Sequence, residues 1–446
     1  MFSLFSHSSG GSENEHRFKK RFFLGAADDG KYFGEWAHGT HLCARMFSVL
    51  SKHIDDLDKT TSLWESDVPD RVATIGHIET LVRRELHADA EVEVFGSSAV
   101  GTDLPKSDVD IAINYDTIWK RWLDQGGDRD APQDIVNEAI KPDMIHAARK
   151  VAGAIRRDPE LKKRKVGFTI AITKCRVPLV RTSCEINGLR TGIDIVFGQK
   201  NGIAAARWTR DMIERVHPEL RPLTKCVKAL LKQKNLGDVS KGGLGGHAVT
   251  CALVCYLNHL KRNMKDEDEA EAETRGNKAE KEDGELEVRT VDLDTAFVGF
   301  LREMGNLNLE REVLTLDKWR APKPSGWMTE DEFGRSGRHR SAAPARGFTV
   351  KDPPRLGVED PADCNRNLCA GSHDARAVLE GFRDAMYNNG LKSKLDRFFN
   401  VEEAVIGHGE DYGFPSKRRG EHSDRRPGKI AKTKGGASTK LPPPDF

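Results

Sequence analysis

The sequence predicts an α+β protein with two lobes, one built on a small sheet and one helical. Three observations carry this. Short runs with strand alternation cluster between about residues 87 and 198, apolar stripes at helical spacing lie before and after them, and two tight-turn signals punctuate the strand region. In order, residues 1–30 are Ser/Gly-rich and then basic, and read as disordered. From about Gly34 to Leu86 the pattern is helical. Leu42, Met46, Val49, Leu50, Ile54 and Leu57 form one stripe, and Ile75, Ile78, Leu81 and Val82 another.

The sheet unit begins with Val92, Val94 and Phe95 as a short strand. It continues through a Gly96-Ser97-Ser98-Ala99-Val100-Gly101 turn, with a helix expected to start there, into Ser107-Asp108-Val109-Asp110 and Ile111-Ala112-Ile113. Side chains alternate along a strand, so Asp108 and Asp110 share a face about 7 Å apart while Val109, Ile111 and Ile113 turn into the core. Two carboxylates so placed repel each other unless a divalent cation sits between them. The Gly-Ser turn at a helix N-terminus would offer backbone N–H groups to a triphosphate. Further on, Pro178-Leu179-Val180 and Cys184-Glu185-Ile186 read as a strand, Asn187-Gly188 as a two-residue hairpin turn, and Arg190 to Phe197 as the return strand. That strand carries Asp194 between Ile193 and Ile195. A lone strand Asp is usually a solvated surface acid, but behind the first unit it supplies the third carboxylate of a two-metal site. Cation, phosphate cradle and open strand face imply nucleotidyl transfer.

From about residue 199 the chain turns helical again. In 222–236, Leu223, Val227, Leu230 and Leu231 share a face, with Lys225, Lys228 and Lys232 opposite. Residues 247–260 are apolar nearly all round and predict a buried central helix. Arg262–Glu287 holds eleven acidic and five basic side chains and reads as a solvated, mobile insertion. A second irregular stretch, 317–356, is rich in Pro, Gly and Arg. A last helix is expected over 374–388, with Val378, Leu379, Phe382 and Met386 inward.

Composition sets outer bounds. Seventy-one Lys and Arg against 69 Asp and Glu leave a net charge of +2, which excludes neither nucleic acid nor neutral partners. The distribution says more. Lys417 to Lys440 carries nine Lys/Arg against Glu421 and Asp424, and reads as a disordered RNA-contacting or nuclear-targeting arm, or as a solubilising tail. No run of 18 apolar residues exists, so no membrane span is expected. The start lacks a basic region followed by a long apolar core, which argues against secretion. Eight scattered cysteines without a CxxC pair argue against structural zinc and for a reducing compartment.

Gly96-Ser97, Asp108-Val109-Asp110 and Asp194 together resemble the DNA-polymerase-β-like nucleotidyltransferase superfamily. Gly192–Phe197, Asn201–Ala205, Leu220-Arg221-Pro222-Leu223 to Lys232, and Gly242–Gly246 are similar to the template-independent RNA tailing enzymes. Among these the resemblance is greatest to the poly(A) polymerases of TRAMP-type nuclear surveillance complexes, with terminal uridylyltransferases next. Val358–Asp363 with Arg366-Asn367-Leu368 resembles that family's nucleotide-recognition motif.

The resemblance implies a division into a disordered 1–30, a helical 31–86, a catalytic domain at 87–198, and a central, PAP-associated domain at 199–400. That central domain is interrupted at 262–287 and 317–356, and a basic tail follows at 401–446. Residues near 35–80 are then expected to pack with 199–400, with the cleft between them and the sheet. It implies two Mg²⁺ ions, or Mn²⁺, on Asp108, Asp110 and Asp194, with an RNA 3′ end as acceptor. Gly96 and Ser97 would meet the phosphates, and Lys228 and Lys232 would clamp the triphosphate. Gly246 would allow close backbone approach, and His247 stands where related enzymes stack an aromatic on the base. A histidine before Asn367 goes with uridylyl preference; this chain has Arg366, and the balance tips to ATP over UTP. A zinc-knuckle RNA-binding subunit, a helicase and a nuclear location complete what the resemblance implies. The insertion near 119–145 has no functional reading.

Overall fold

The computed structural model describes residues 50–59, 68–104, 107–128, 131, 133–186, 189–274, 291–322 and 355–387. The expectations for 1–30, most of 317–356 and the basic tail lie outside these residues, as do Leu42, Met46 and Val49 of the first stripe.

Two apolar cores organise the described chain. The first belongs to a five-stranded sheet of order β1-β2-β5-β4-β3. Its strands are β1 (Glu91–Phe95), β2 (Val109–Asn114), β3 (Ile170–Ile172), β4 (Leu179–Ile186) and β5 (Leu189–Phe197). β2 and β5 run parallel and the other pairings are antiparallel. Ile186 pairs with Leu189, so the β4–β5 connection spans the two residues read as a hairpin turn. Asn187 and Gly188 themselves lie outside the described residues.

One face of the sheet is covered by helices. α1 (Val68–Glu85), α2 (Asp116–Asp124) and α3 (Gln133–Arg157) bring Ile78, Leu81, Val82, Ile118, Trp119, Ile140, Met144 and Val151 against Val109, Ile111, Ile113, Ile193, Ile195 and Phe197. The stretch near 119–145 is the end of α2 and the start of α3, and it supplies part of this core. Gly126-Gly127-Asp128 and Ala131 break the pattern because they lie between two helices. Likewise α1, expected to pack with the later helices, buries its stripe on the sheet. Only the preceding helical segment, 50–59, joins the second core, through Leu50, Ile54 and Leu57.

After a short helix α4 (Pro159–Lys163), capped by Asp158, and the β3–β5 strands, α5 (Asn201–Asp211) leads through a π-helical turn at Met212–Val216 into the second core. This core is built from α6 (Leu220–Gln233), α7 (Gly246–Thr274), α8 (Leu293–Gly305) and α9 (Ala375–Tyr387), around Tyr256, Phe297, Phe300 and Phe382. The predicted central helix is α7, buried from Val249 through Leu257. It also runs further than expected: the acidic stretch read as mobile from 262 continues the helix to Thr274. Glu and Ala are strong helix formers, so a charged face does not end a helix whose other end is anchored. Two short pairings, β6 (Glu312–Val313) with β7 (Ala321–Pro322) and β8 (Glu359–Asp360) with β9 (Asp363–Asn367), close the lobe. No helix among the described residues is long and apolar enough to cross a membrane.

Candidate active site

Strand register brings the acids together. Asp110 is the Cα partner of Asp194 across the parallel β2–β5 pair, and of Phe95 across β1–β2. Adjacent strands lie about 4.8 Å apart, so the two carboxylates project side by side from one face. Asp108, just before β2, lies over Gly192: a Cβ at Gly192 would come within 2.8 Å of Asp108 Cγ. Burial pushes the Asp110 carboxyl up to about 7, and the neighbouring Asp194 and Asp108 charges add to it. Asp108 is also raised, by burial first and then by Asp194. The chain has thus concentrated negative charge where it is poorly solvated.

Arg181 answers part of that charge. It is the β4 partner of Asp194, and its guanidinium donates from Nε to Oδ1 at 2.8 Å and from Nη2 to Oδ2 at 2.5 Å. Sequence reasoning missed this residue, although the signal was there. Counting back from a two-residue Asn-Gly turn puts position 181 opposite 194.

The Gly-Ser turn abuts the acids on the β1 side. Gly96 has φ +68°, and a Cβ there would fall within 3.2 Å of Asp110 Cγ, so only glycine fits both the backbone and the space. The Ser97 carbonyl accepts from Val100 N and Thr102 N, and Ser98 Oγ donates to the Asp108 carbonyl at 3.2 Å. The helix expected to begin here is a single 3₁₀ turn, Ser97–Ala99. Gly101, with φ +67°, turns the chain out of it. The cradle is therefore turn backbone, without a helix dipole behind it.

From the other lobe, α6 sends in lysines. Lys228 is half-buried, donates to the Thr102 carbonyl at 2.7 Å, and is pushed down to about 8 by desolvation against the pull of Asp103 and Asp110. Lys232 contributes to the field at Asp108. A Cβ at Gly246 would sit 3.5 Å from Lys228 Cε, an ordinary van der Waals contact, so the lysine does not require glycine there. Lys225, expected on the same polar face, is instead 2 % exposed and ion-paired with Asp58 at 2.8 Å. The 50–59 segment covers that side of α6, a contact no helical wheel contains.

Comparison with known proteins fits this geometry. Residues 50–208 match the family model described as the central palm domain of mitochondrial-like poly(A) RNA polymerase. Over these residues the chain is similar to that palm domain. Poly(A) RNA polymerase protein 1 of Saccharomyces cerevisiae is 25 % identical over 345 residues, covering 76 % of this chain and 43 % of that protein. Poly(A) RNA polymerase protein 2 of the same yeast is 23 % identical over 338 residues, covering 75 % and 47 %. The chain thus spans less than half the length of either relative. Among solved structures, the polymerase core of TRAMP, an RNA surveillance complex, aligns with a TM-score of 0.53 at 22 % identity, over 80 % of this chain and 91 % of that one. A Trypanosoma brucei terminal uridylyl transferase with bound dUTP aligns at 0.51 and 18 %, over 76 % and 97 %. At these identities the structures establish the fold alone.

The donor set suits a hard divalent ion in type, being three carboxylates on one face with two of them destabilised as anions. As they stand, no three His, Cys, Asp or Glu side chains among the described residues are placed to hold a metal ion together. Arg181 takes both Asp194 oxygens.

The residues expected around the base divide. His247, in the first turn of α7, meets Trp208 edge-to-face with centroids 6.3 Å apart. Burial lowers its pKa, Asp360 opposes that shift, and Arg366 adds to it, which brings all three into one neighbourhood. Arg366 Nη1 lies 3.1 Å from Asp360 Oδ2. Asn367 is corrected. It is buried, its Oδ1 accepts from Val358 N and Cys369 N, and its Nδ2 donates to Leu356 O at 3.0 Å, so its amide pins the motif's own loop. A short polar side chain between strands finds backbone partners first.

Proposed function

We propose that the chain is a template-independent nucleotidyltransferase that adds AMP from ATP to RNA 3′-hydroxyls. The observation that carries this reading is the shared register of Asp110 and Asp194, with Asp108 over Gly192, between a Gly-Ser turn and two lysines. Poly(A) RNA polymerases are the curated relatives that cover most of the chain, which supports an RNA acceptor and an adenylyl donor. Work in an RNA surveillance setting, in the nucleus, with a zinc-knuckle subunit and a helicase, is the extension that the resemblance to TRAMP-type enzymes supports.

Each residue has a defined task. Gly96 lets the turn backbone approach the β- and γ-phosphates, and Ser97 Oγ donates to them. Lys228 and Lys232 offset the charge of the departing pyrophosphate. Asp108, Asp110 and Asp194 would hold divalent ions, which when bound supply Lewis-acid activation of the acceptor hydroxyl and charge neutralisation at the phosphates. His247 and Arg366 bound the base, His247 by its ring face and Arg366 as a donor steadied by Asp360. Catalysis of this kind is positioning plus charge stabilisation, so losing one carboxylate removes nearly all turnover with the fold intact.

A four-NTP extension assay on a short oligo(A) primer tests the proposal. ATP-dependent extension is expected, abolished in Asp108→Ala/Asp110→Ala and in Asp194→Ala. Preference for UTP would overturn the adenylyl assignment. Wild-type tailing by the double variant would overturn the site, and absence of extension by the wild type would favour a silent scaffold; one Drosophila melanogaster relative is described as inactive.

A further inference from the structure

Asp194 lies between two partners that require different side-chain positions. Its strand, β5, runs between β2 and β4 in the sheet. Across the parallel pair it faces Asp110, and across the antiparallel pair it faces Arg181. Neighbouring strands are about 4.8 Å apart, so both partners are within reach of one short carboxylate. A magnesium ion shared with Asp110 needs an oxygen from each acid within about 2.1 Å. Both Asp194 oxygens are given to Arg181 instead, one on Nε at 2.8 Å and one on Nη2 at 2.5 Å. With Asp194 so held, no three His, Cys, Asp or Glu side chains among the described residues are placed around one ion.

The pair also has the features of one that opens. A guanidinium stays charged throughout the physiological range, and its planar fork matches a carboxylate, so it serves where a cation is needed before an ion arrives. Its charge reaches Asp108 and Asp110 as well. The Arg181 side chain is 48 % exposed, whereas that of Asp194 is 14 % exposed. The carboxylate is thus the sheltered member, and the guanidinium can turn into water with little desolvation to reverse. Exposed ion pairs hold weakly. A doubly charged ion gripped by further carboxylates displaces a single charge gripped by one.

We propose that Arg181 is a positioning residue that keeps Asp194 on the β4 side until a divalent ion takes the carboxylate over. Loading at Asp194 is then an exchange, guanidinium out and ion in, whereas Asp108 and Asp110 take an ion without it. The apparent affinity at Asp194 is lowered according to the fraction of molecules in which the pair is closed. This role rests on the nucleotidyl-transfer reading above and adds how the third carboxylate is brought into use.

The test is Mn²⁺ titration of the full chain without nucleotide, with unbound ion counted by electron paramagnetic resonance. The part of the wild-type isotherm that Asp194→Asn removes is the ion that depends on Asp194. Arg181→Gln should bind that ion about fivefold more tightly. Arg181→Lys keeps the charge without the fork and should gain less. In an Asp194→Asn background the effect of Arg181→Gln on the remaining ion should shrink to about twofold or less, because two residues that act through one contact are not additive. Unchanged affinity in both Arg181→Gln and Arg181→Lys would overturn the exchange. So would an equal gain in the Asp194→Asn background, which would make Arg181 a distant charge only, or the lack of an Asp194-dependent ion in wild type and Arg181→Gln alike. Ion binding needs no turnover, so failure of the wild type to extend a primer would sink the functional reading separately.

Discussion

Gly192→Ala isolates the position of Asp108 from its presence. Gly192 lies outside the left-handed region, so alanine suits its backbone, and the strand should gain slightly from the lost glycine entropy. The added methyl would sit 2.8 Å from Asp108 Cγ and closer still to Oδ1. Carbon atoms rest at about 3.5–4.0 Å, so the carboxylate must retreat by about 1 Å. Asp108 is a short side chain at the site's edge, and it can rotate away at a cost near the low end of overpacking, about 1 kcal/mol. A misplacement of that size costs on the order of 10²-fold in turnover, or about 2.7 kcal/mol of transition-state stabilisation. The expected outcome is kcat/KM for ATP-dependent extension down about a hundredfold, with a melting temperature within a few degrees of wild type. Activity within threefold of wild type would refute the reasoning, because Asp108 would then have no required position. Loss of folding would refute it differently, by showing that Gly192 serves packing.

Three further outcomes follow from the charges. Asp110, raised to about 7, keeps in the folded chain a proton that the unfolded chain gives up near 4. Stability of the metal-free protein should therefore fall as pH rises from about 4 to 7 and level off above, by at most about 4 kcal/mol, and Asp110→Asn should remove that slope in urea titrations. Lys228, pushed down to about 8, loses its charge as pH passes that value. KM for ATP should climb through pH 8 in the wild type and stay flat in Lys228→Arg, as read from initial rates. Asp58→Ala strands the buried Lys225 ammonium and should cost about 3–5 kcal/mol by chemical denaturation. Asp58→Ala/Lys225→Met should recover most of it.

The carboxylate constellation was legible in the sequence because strands have a period of two and a two-residue turn fixes register. Those rules put Asp108 and Asp110 on one face, put Asp194 on the non-core side of its own strand, and hold Arg181 for anyone who counts back from the turn; the parallel β2–β5 pairing that sets Asp194 beside Asp110 is a long-range contact. The lysine pair was half legible. Helical spacing groups Lys225, Lys228 and Lys232, yet it does not know that Asp58, more than 160 positions earlier, comes to lie against Lys225. The motif at Arg366-Asn367 was found by resemblance, but resemblance does not say which amide is consumed by its own loop.

The sequence by itself determined the elements, the alternation of each strand and the acids that chemistry needs, since these depend on neighbours a few bonds away. The tertiary structure alone decided which core each helix serves, sending α1 to the sheet and 50–59 to the helical lobe. It also decided which charges are buried and where Arg181 rests. Those outcomes depend on contacts between distant segments, and burial, unlike periodicity, exists only once the chain has closed upon itself.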